Sequence, residues 1–173
     1  MITIGRLLAV PVTVWLILND YILAAFWLFV AAGISDAVDG YLAKRWDEVT
    51  EFGSYLDPIA DKALLVSIYI TLGVQGYLAT WLVIMVVFRD AMIVGAVLLF
   101  QTMVRTLDMA PLFISKVNTT AQIVLAALVL GSVGFDVDTG LFLEFMLGIV
   151  AVTTLFSGLA YLYVILHLEE KKT

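Results

Sequence analysis

Six apolar runs, near residues 3–18, 21–43, 56–73, 77–104, 112–134 and 140–167, dominate the chain. Each is close to the roughly 20 residues an α-helix needs to cross a hydrocarbon core of about 30 Å. Backbone in lipid must satisfy its own hydrogen bonds, so runs of this length read as helices. Turn signals stand between them: Asn19-Asp20, Gly53 with Pro58 just beyond, Gly73-Val74-Gln75-Gly76, Asp108 to Pro111, and Gly134 to Gly140. The expected fold is all-α, a polytopic integral membrane protein with six transmembrane helices in a single domain over residues 1–173, without repeats or low-complexity tracts.

Composition narrows the chemistry. With 63% hydrophobic and 14% charged residues, and a mean hydropathy of +1.08, the chain does not fit an ordinary soluble domain. Cysteine is absent and His167, near the end of the chain, is the sole histidine. That excludes disulfides and thiolate metal sites and leaves carboxylates as the multi-residue metal ligands. A metal held by carboxylates would be hard, Mg²⁺ or Mn²⁺. The opening MITIGRLLAVP has none of the marks of a signal peptide or an Arg/Ser-rich presequence.

Six spans put both termini on one side, together with the loops that follow the second and fourth helices. All nine Lys and Arg then fall on that side: Arg6, Lys44, Arg45, Lys62, Arg89, Arg105, Lys116, Lys171 and Lys172. The opposite loops hold only acids, Asp20, Asp136, Asp138 and Glu144. By the positive-inside rule the basic side is cytoplasmic. Trp15, Trp27, Trp46 and Trp81 sit near segment ends or on lipid-facing stretches and read as interfacial belt and packing.

Against this background the stretch SDAVDGYLAKR, residues 35–45, is out of place. Asp36, Asp39, Gly40 and Ala43 are spaced to share one helix stripe, with Lys44 beyond them, and Gly53, Asp57 and Asp61 form a second stripe at spacing four. Four carboxylates facing one another in a low-dielectric setting would repel and take up protons unless something positive compensated them. Two divalent cations would do so. Gly40, Ala43 and Gly53 remove side-chain bulk where a pyrophosphate or nucleotide would approach helix backbone. The plainer alternative is an ion-pair network in which the four acids neutralise Lys44, Lys62, Arg89 and Lys116; four acids and three small residues at these spacings argue against it. Asp47, Glu48 and Glu51 read as a solvated polar turn.

Written out, Asp36-x2-Asp39-Gly40-x2-Ala43-Lys44-x8-Gly53-x3-Asp57-x3-Asp61 resembles the signature of the CDP-alcohol phosphotransferase family, membrane enzymes of phospholipid synthesis. Seven of its eight fixed positions match; the eighth is Arg in the family and Lys44 here, a point charge in place of a fork. The resemblance implies a six-helix homodimer with two Mg²⁺ or Mn²⁺ ions at the cytoplasmic end of a cavity open to the bilayer. It implies that Asp36, Asp39 and Asp57 bind metal and that Asp61 is the base and touches metal, with Gly40, Ala43, Lys44 and Gly53 about the CDP-lipid. The cations would neutralise the pyrophosphate and the departing CMP while Asp61 takes the proton of the attacking alcohol.

The acceptor is read from the remaining basic residues. FRDAM (88–92), PLFISKVNTTAQ (111–122) and VTTLFSGLAY (152–161) are similar to the eukaryotic-type, CMP-forming cardiolipin synthases of that family. Members that use glycerol 3-phosphate tend to carry Gly-Lys-x-Lys-Thr where this chain has Ser115-Lys116-Val117-Asn118-Thr119. The missing second cation favours the singly charged phosphodiester of phosphatidylglycerol over a phosphate dianion. Arg89, Lys116, Asn118 and Arg6 are the candidates for the acceptor phosphate; for Lys116 snorkelling, for Arg89 a salt pair with Asp90 and for Arg6 an interfacial anchor are the plainer readings.

The expectation is a bacterial inner-membrane cardiolipin synthase joining CDP-diacylglycerol to phosphatidylglycerol, its termini and active site cytoplasmic, its partners membrane lipids and a second copy, with no nucleic acid. Phosphatidylglycerol phosphate synthesis from glycerol 3-phosphate is the nearest rival. A cation-coupled transporter is a rival of another class, against which the crowding of the acids at one end argues.

Overall fold

The computed structural model describes residues 2–46, 51–103 and 113–170, with side chains described for 5, 7–35, 62–95 and 113–162. It contains α1 (Ile2–Leu18), α2 (Ile22–Trp46), α3 (Glu51–Val74), α4 (Thr80–Met103), α5 (Phe113–Gly134) and α6 (Gly140–Glu170), and no strand among the described residues. The expected helices are all present. The main difference is at α3, which begins at Glu51 and so takes Gly53 and Pro58 into the helix. Proline removes one N–H from the ladder, and like Pro11 inside α1 it is accommodated without ending the helix. The expected turn at Asp108 to Pro111, the polar-turn residues Asp47 and Glu48, and Arg105, Lys171 and Lys172 lie outside the described residues.

At the end of the bundle away from the motif, α1, α3 and α5 terminate alike. Each closes with a left-handed residue, Asp20 (φ 61°), Gly76 (φ 79°) and Asp136 (φ 55°). The N–H after each reaches back to the helix: Tyr21 to the Leu16 carbonyl (2.9 Å), Tyr77 to Leu72 (2.9 Å) and Val137 to Ser132 (2.9 Å). This pairing satisfies carbonyls that a helix end otherwise leaves orphaned. The Asp138 carboxylate then accepts the Gly140 N–H at 3.0 Å as α6 begins.

Neighbouring helices form two rows of three. The row α1, α3, α4 lies against the row α2, α5, α6, with α1 on α2, α3 on α5 and α4 on α6. The six therefore make two four-helix rings that share the α3–α5 seam. In the first ring, α1, α2, α5 and α3 follow one another, so α2 and α3 face each other diagonally. Both seam helices carry deeply buried side chains, among them Ile68, Tyr69, Leu72, Leu125 and Leu130, all fully shielded. α5 approaches α2 closely at Gly134, where a Cβ would come 3.1 Å from the Leu23 backbone.

The outside is as apolar as the inside. On α6, Leu141, Phe145, Val152, Leu155 and Leu159 form one exposed stripe. Trp15, Trp27 and Trp81 are each more than half exposed, and Trp15 stacks on Tyr21 with ring centroids 5.9 Å apart. By length and composition, two described stretches suffice to cross a membrane, Phe113–Gly134 and Gly140–Leu162; Leu7–Leu18, Ile22–Ser35 and Lys62–Val74 are shorter apolar helices.

Candidate active site

The motif is placed by α2 and α3. In α2 the inward residues are Ile22, Ala25 and Phe29, with Ala32 partly buried. At about 100° per residue, positions 36, 39, 40 and 43 continue that stripe, which is about 100° wide. In α3 the buried residues Leu64, Leu65, Ile68 and Leu72 occupy a stripe of the same width to which positions 57 and 61 belong. Both halves of the motif thus fall on the faces that, one or two turns deeper, form the core of the first ring. Position 36 lies ten residues before the end of α2 and position 61 ten residues after the start of α3. At about 1.5 Å per residue each lies about 15 Å from the described end of its helix.

Position 6 of α1 belongs to the same end of the same ring: it is in line with Thr13 and Ile17, which are fully buried. The backbone therefore brings Arg6, the Asp36–Ala43 stripe and the Asp57–Asp61 stripe to one end of one ring. The side chains of Arg6, Asp36, Asp39, Gly40, Ala43, Lys44, Gly53, Asp57, Asp61 and His167 lie outside the described ones. The donor set fits a hard divalent cation in chemistry, all carboxylate and without sulfur or imidazole.

A second polar cluster occupies the other ring. The Arg89 guanidinium, 2% exposed, donates from Nε to Ser157 Oγ on α6 at 3.0 Å, from Nη2 to Ser115 Oγ on α5 at 2.7 Å, and from Nη1 to Asp90 Oδ1 at 2.6 Å. Asp90 Oδ1 also accepts from Lys62 Nζ on α3 at 2.9 Å. Two of the four cations that an ion-pair network with the motif acids would require are thus held by Asp90. Asn118 is fully buried, its Oδ1 accepting the hydroxyls of Thr153 (2.8 Å) and Thr154 (2.9 Å) on α6. Lys116 is exposed, on the face of α5 opposite Asn118.

Among the described side chains of the acceptor candidates, Arg89 and Asn118 point into helix contacts in the second ring and Lys116 points outward. Sequence reasoning noted the Arg89–Asp90 pair but missed Ser115 and Ser157 as partners of Arg89, and Thr153 and Thr154 as partners of Asn118. Their signal was present as hydroxyl residues recurring at helical spacing within apolar runs.

Comparison with known proteins identifies the family. A family model described as CDP-alcohol phosphatidyltransferase matches residues 1–163. The chain is 34% identical over 179 residues to the chloroplastic CDP-diacylglycerol–glycerol-3-phosphate 3-phosphatidyltransferase 1 of Oryza sativa subsp. japonica, covering 93% of this chain and 54% of that protein. It is 32% identical over 179 residues to the CMP-forming cardiolipin synthase of Rattus norvegicus, covering 93% of this chain and 59% of that protein. It is 36% identical over 143 residues to the CDP-diacylglycerol–glycerol-3-phosphate 3-phosphatidyltransferase of Escherichia coli (strain K12), covering 80% of this chain and 76% of that protein. The chain spans somewhat over half the length of the first two relatives. With the family model matched along nearly its whole length, the chain belongs to the CDP-alcohol phosphatidyltransferase family.

Proposed function

We propose that the chain is a membrane-embedded phosphatidyltransferase that moves a phosphatidyl group from CDP-diacylglycerol to phosphatidylglycerol, giving cardiolipin and CMP. The observation that carries this reading is the continuation of the buried stripes of α2 and α3 by the motif positions, at one end of one ring. Asp36, Asp39, Asp57 and Asp61 would hold two divalent cations, Mg²⁺ or Mn²⁺. When bound, the cations supply charge neutralisation for the pyrophosphate and for the departing CMP.

Asp61 is the base of this reading. It takes the proton from the acceptor hydroxyl as that oxygen forms its bond to the phosphatidyl phosphorus. The phosphorus–oxygen bond to CMP breaks, CMP leaves with the electron pair, and the chain carries no covalent intermediate. Gly40, Ala43 and Gly53 leave room for the nucleotide beside helix backbone, and Lys44 supplies positive charge for its phosphates. Of the acceptor candidates, Arg6 stands at the motif end of the first ring and is the cation of this reading for the acceptor phosphate, since the Arg89 guanidinium already has partners in α4, α5 and α6.

Phosphatidylglycerol is favoured as acceptor by position 118. Where glycerol 3-phosphate enzymes of the family tend to place a second lysine, Asn118 is a buried amide held by two threonine hydroxyls. The competing reading, phosphatidylglycerol phosphate synthesis, is favoured by the names of the rice and Escherichia coli relatives. The whole chain, residues 1–173, is read as one domain with six spans. The exposed stripe from Leu141 to Leu159 on α6 supports this, being about 27 Å long at 1.5 Å per residue. The one-sided Lys and Arg support a cytoplasmic motif end in a bacterial inner membrane, and the family resemblance supports a homodimer.

The test uses purified protein in detergent with CDP-diacylglycerol and Mg²⁺ or Mn²⁺, offered phosphatidylglycerol or glycerol 3-phosphate separately, the products identified by mass spectrometry. Cardiolipin from phosphatidylglycerol alone is expected. Phosphatidylglycerol phosphate as the product would replace the acceptor while keeping the transfer chemistry, and absence of CMP release with both would remove the reading.

A further inference from the structure

Asp90 is a junction between the two rings. Its Oδ1 accepts from Arg89 Nη1 on its own helix (2.6 Å) and from Lys62 Nζ on α3 (2.9 Å). Arg89 carries the connection to Ser115 on α5 (2.7 Å) and Ser157 on α6 (3.0 Å). All four helices of the second ring therefore meet at one carboxylate–guanidinium pair. On α3 the residue that enters this junction, Lys62, immediately follows position 61, about 100° further round the helix.

We propose that Lys62 is a positioning residue for the transfer reaction: anchored by Asp90, it fixes the rotation of α3 and so the aim of the Asp57 and Asp61 stripe across the first ring. The proposal rests on the phosphatidyltransferase reading above. The apolar faces that pack α3 into the bundle attract without direction, so they resist separation of the helices more than rotation. The Lys62–Asp90 ion pair, closed at 2.9 Å, adds a directed contact that opposes rotation of α3 away from Asp90. At a side-chain tip roughly 6 Å from the helix axis, a rotation of about 20° is a displacement of about 2 Å, and about 1 Å is enough to cost on the order of a hundredfold in rate. An ion pair with one buried and one partly exposed partner adds little net stability once desolvation is counted, so the consequence of the Lys62–Asp90 contact falls on geometry.

A direct role for Lys62, as a cation binding the substrate phosphates, makes a different prediction and is separated by kinetics. Lys62→Met breaks the link to α3 while leaving Asp90 paired to Arg89, so no buried charge is stranded. The measurements are kcat and KM for CDP-diacylglycerol, the thermal unfolding temperature in detergent, and the binding of Mn²⁺ followed by electron paramagnetic resonance. Positioning predicts kcat lowered at least about tenfold with KM within about twofold, weaker Mn²⁺ binding, and recovery of most of the rate in Lys62→Arg, which restores a donor to Asp90. It also predicts that Lys62→Met costs little further once Asp90 is Asn. Should Lys62→Met not fold, Lys62→Leu, which also removes the donor to Asp90 while keeping an apolar side chain, takes its place under the same criteria. An unchanged kcat, a raised KM with kcat unchanged, or a fall in rate matched by collapse of the unfolding temperature would each overturn the proposal. Absence of CMP release by the unaltered protein would instead remove the function on which it stands.

Discussion

The Tyr69 hydroxyl donates to the backbone carbonyl of Gln122 at 3.0 Å, joining α3 to α5 where both side chains are fully shielded. This bond lies on the seam common to the two rings, one helix face away from the stripe that leads to position 61. Tyr69→Phe keeps the ring and removes only the donor, while the Gln122 carbonyl keeps its place in the α5 ladder. The expected cost is about 1 kcal/mol, read as a small fall in thermal unfolding temperature in detergent with turnover largely retained. A loss several times larger would mean that the hydroxyl organises more than this one contact.

Gly134 sets how near α2 comes to α5. An added Cβ would meet the Leu23 Cα and N, each at 3.1 Å, and backbone cannot turn aside as a flexible side chain would. Gly134→Ala is expected to destabilise the fold by about 1–3 kcal/mol. Gly148→Ala is the control: it has nothing within 4 Å, and replacing a helical glycine there should be neutral or stabilising by up to about 1 kcal/mol. Equal unfolding temperatures for the two variants would show that the α2–α5 spacing is not limited by Gly134.

The helices were legible because each apolar run is long and is bounded by residues that favour turns. The beginning of α3 was not, since Gly53 and Pro58 are turn formers by local preference and the helix absorbs both. The motif was recognised from spacing, which put Asp36 with Asp39 and Asp57 with Asp61 on helix stripes. That these stripes continue the faces of Ala25 and Phe29, and of Leu65 and Ile68, required knowledge of which side of each helix is buried. The two-ring arrangement was out of reach for the same reason: pairing among six apolar helices is decided by shape, as at Gly134, and not by hydrophobic pattern. Arg89 illustrates the limit. Its charge drew attention to it as a phosphate ligand, whereas the partners that hold it, Ser115 and Ser157, are small and unremarkable in sequence.

On the two-metal reading of the motif, removal of the cations is decisive. Chelation with EDTA is expected to abolish CMP release, and Mg²⁺ or Mn²⁺ to restore it. Asp39→Asn should raise the cation concentration needed for half-maximal rate at least about tenfold, because one anionic ligand of a hard cation becomes a neutral amide. Full turnover in EDTA would exclude the two-metal reading of the motif.

The base assignment is tested separately from metal binding. Asp61→Asn should lower the rate of CMP release by about 10²–10⁴-fold, the usual range for loss of a general base, while the unfolding temperature stays close to that of the unaltered protein. Since Asp61 is also expected to touch metal, the variant is assayed at saturating Mn²⁺, so that a deficit which excess cation repairs is assigned to binding. Retained turnover at saturating cation would remove Asp61 from its role as base.

Position 118 separates the two acceptors by a substitution in the opposite direction. Asn118→Lys installs the second cation of the glycerol 3-phosphate pattern, but the site it enters is fully buried and its present occupant accepts hydroxyls from Thr153 and Thr154. The Thr154 hydroxyl would lose its acceptor, while that of Thr153 keeps the Ile149 carbonyl at 2.8 Å, and a charge would be placed among α5 and α6, each change unfavourable by a few kcal/mol. The expected outcome is a marked fall in unfolding temperature with no gain of phosphatidylglycerol phosphate synthesis, measured with glycerol 3-phosphate as sole acceptor. A stable variant that does gain it would show that position 118 reaches the acceptor phosphate and that the Thr153 and Thr154 bonds give way when it does.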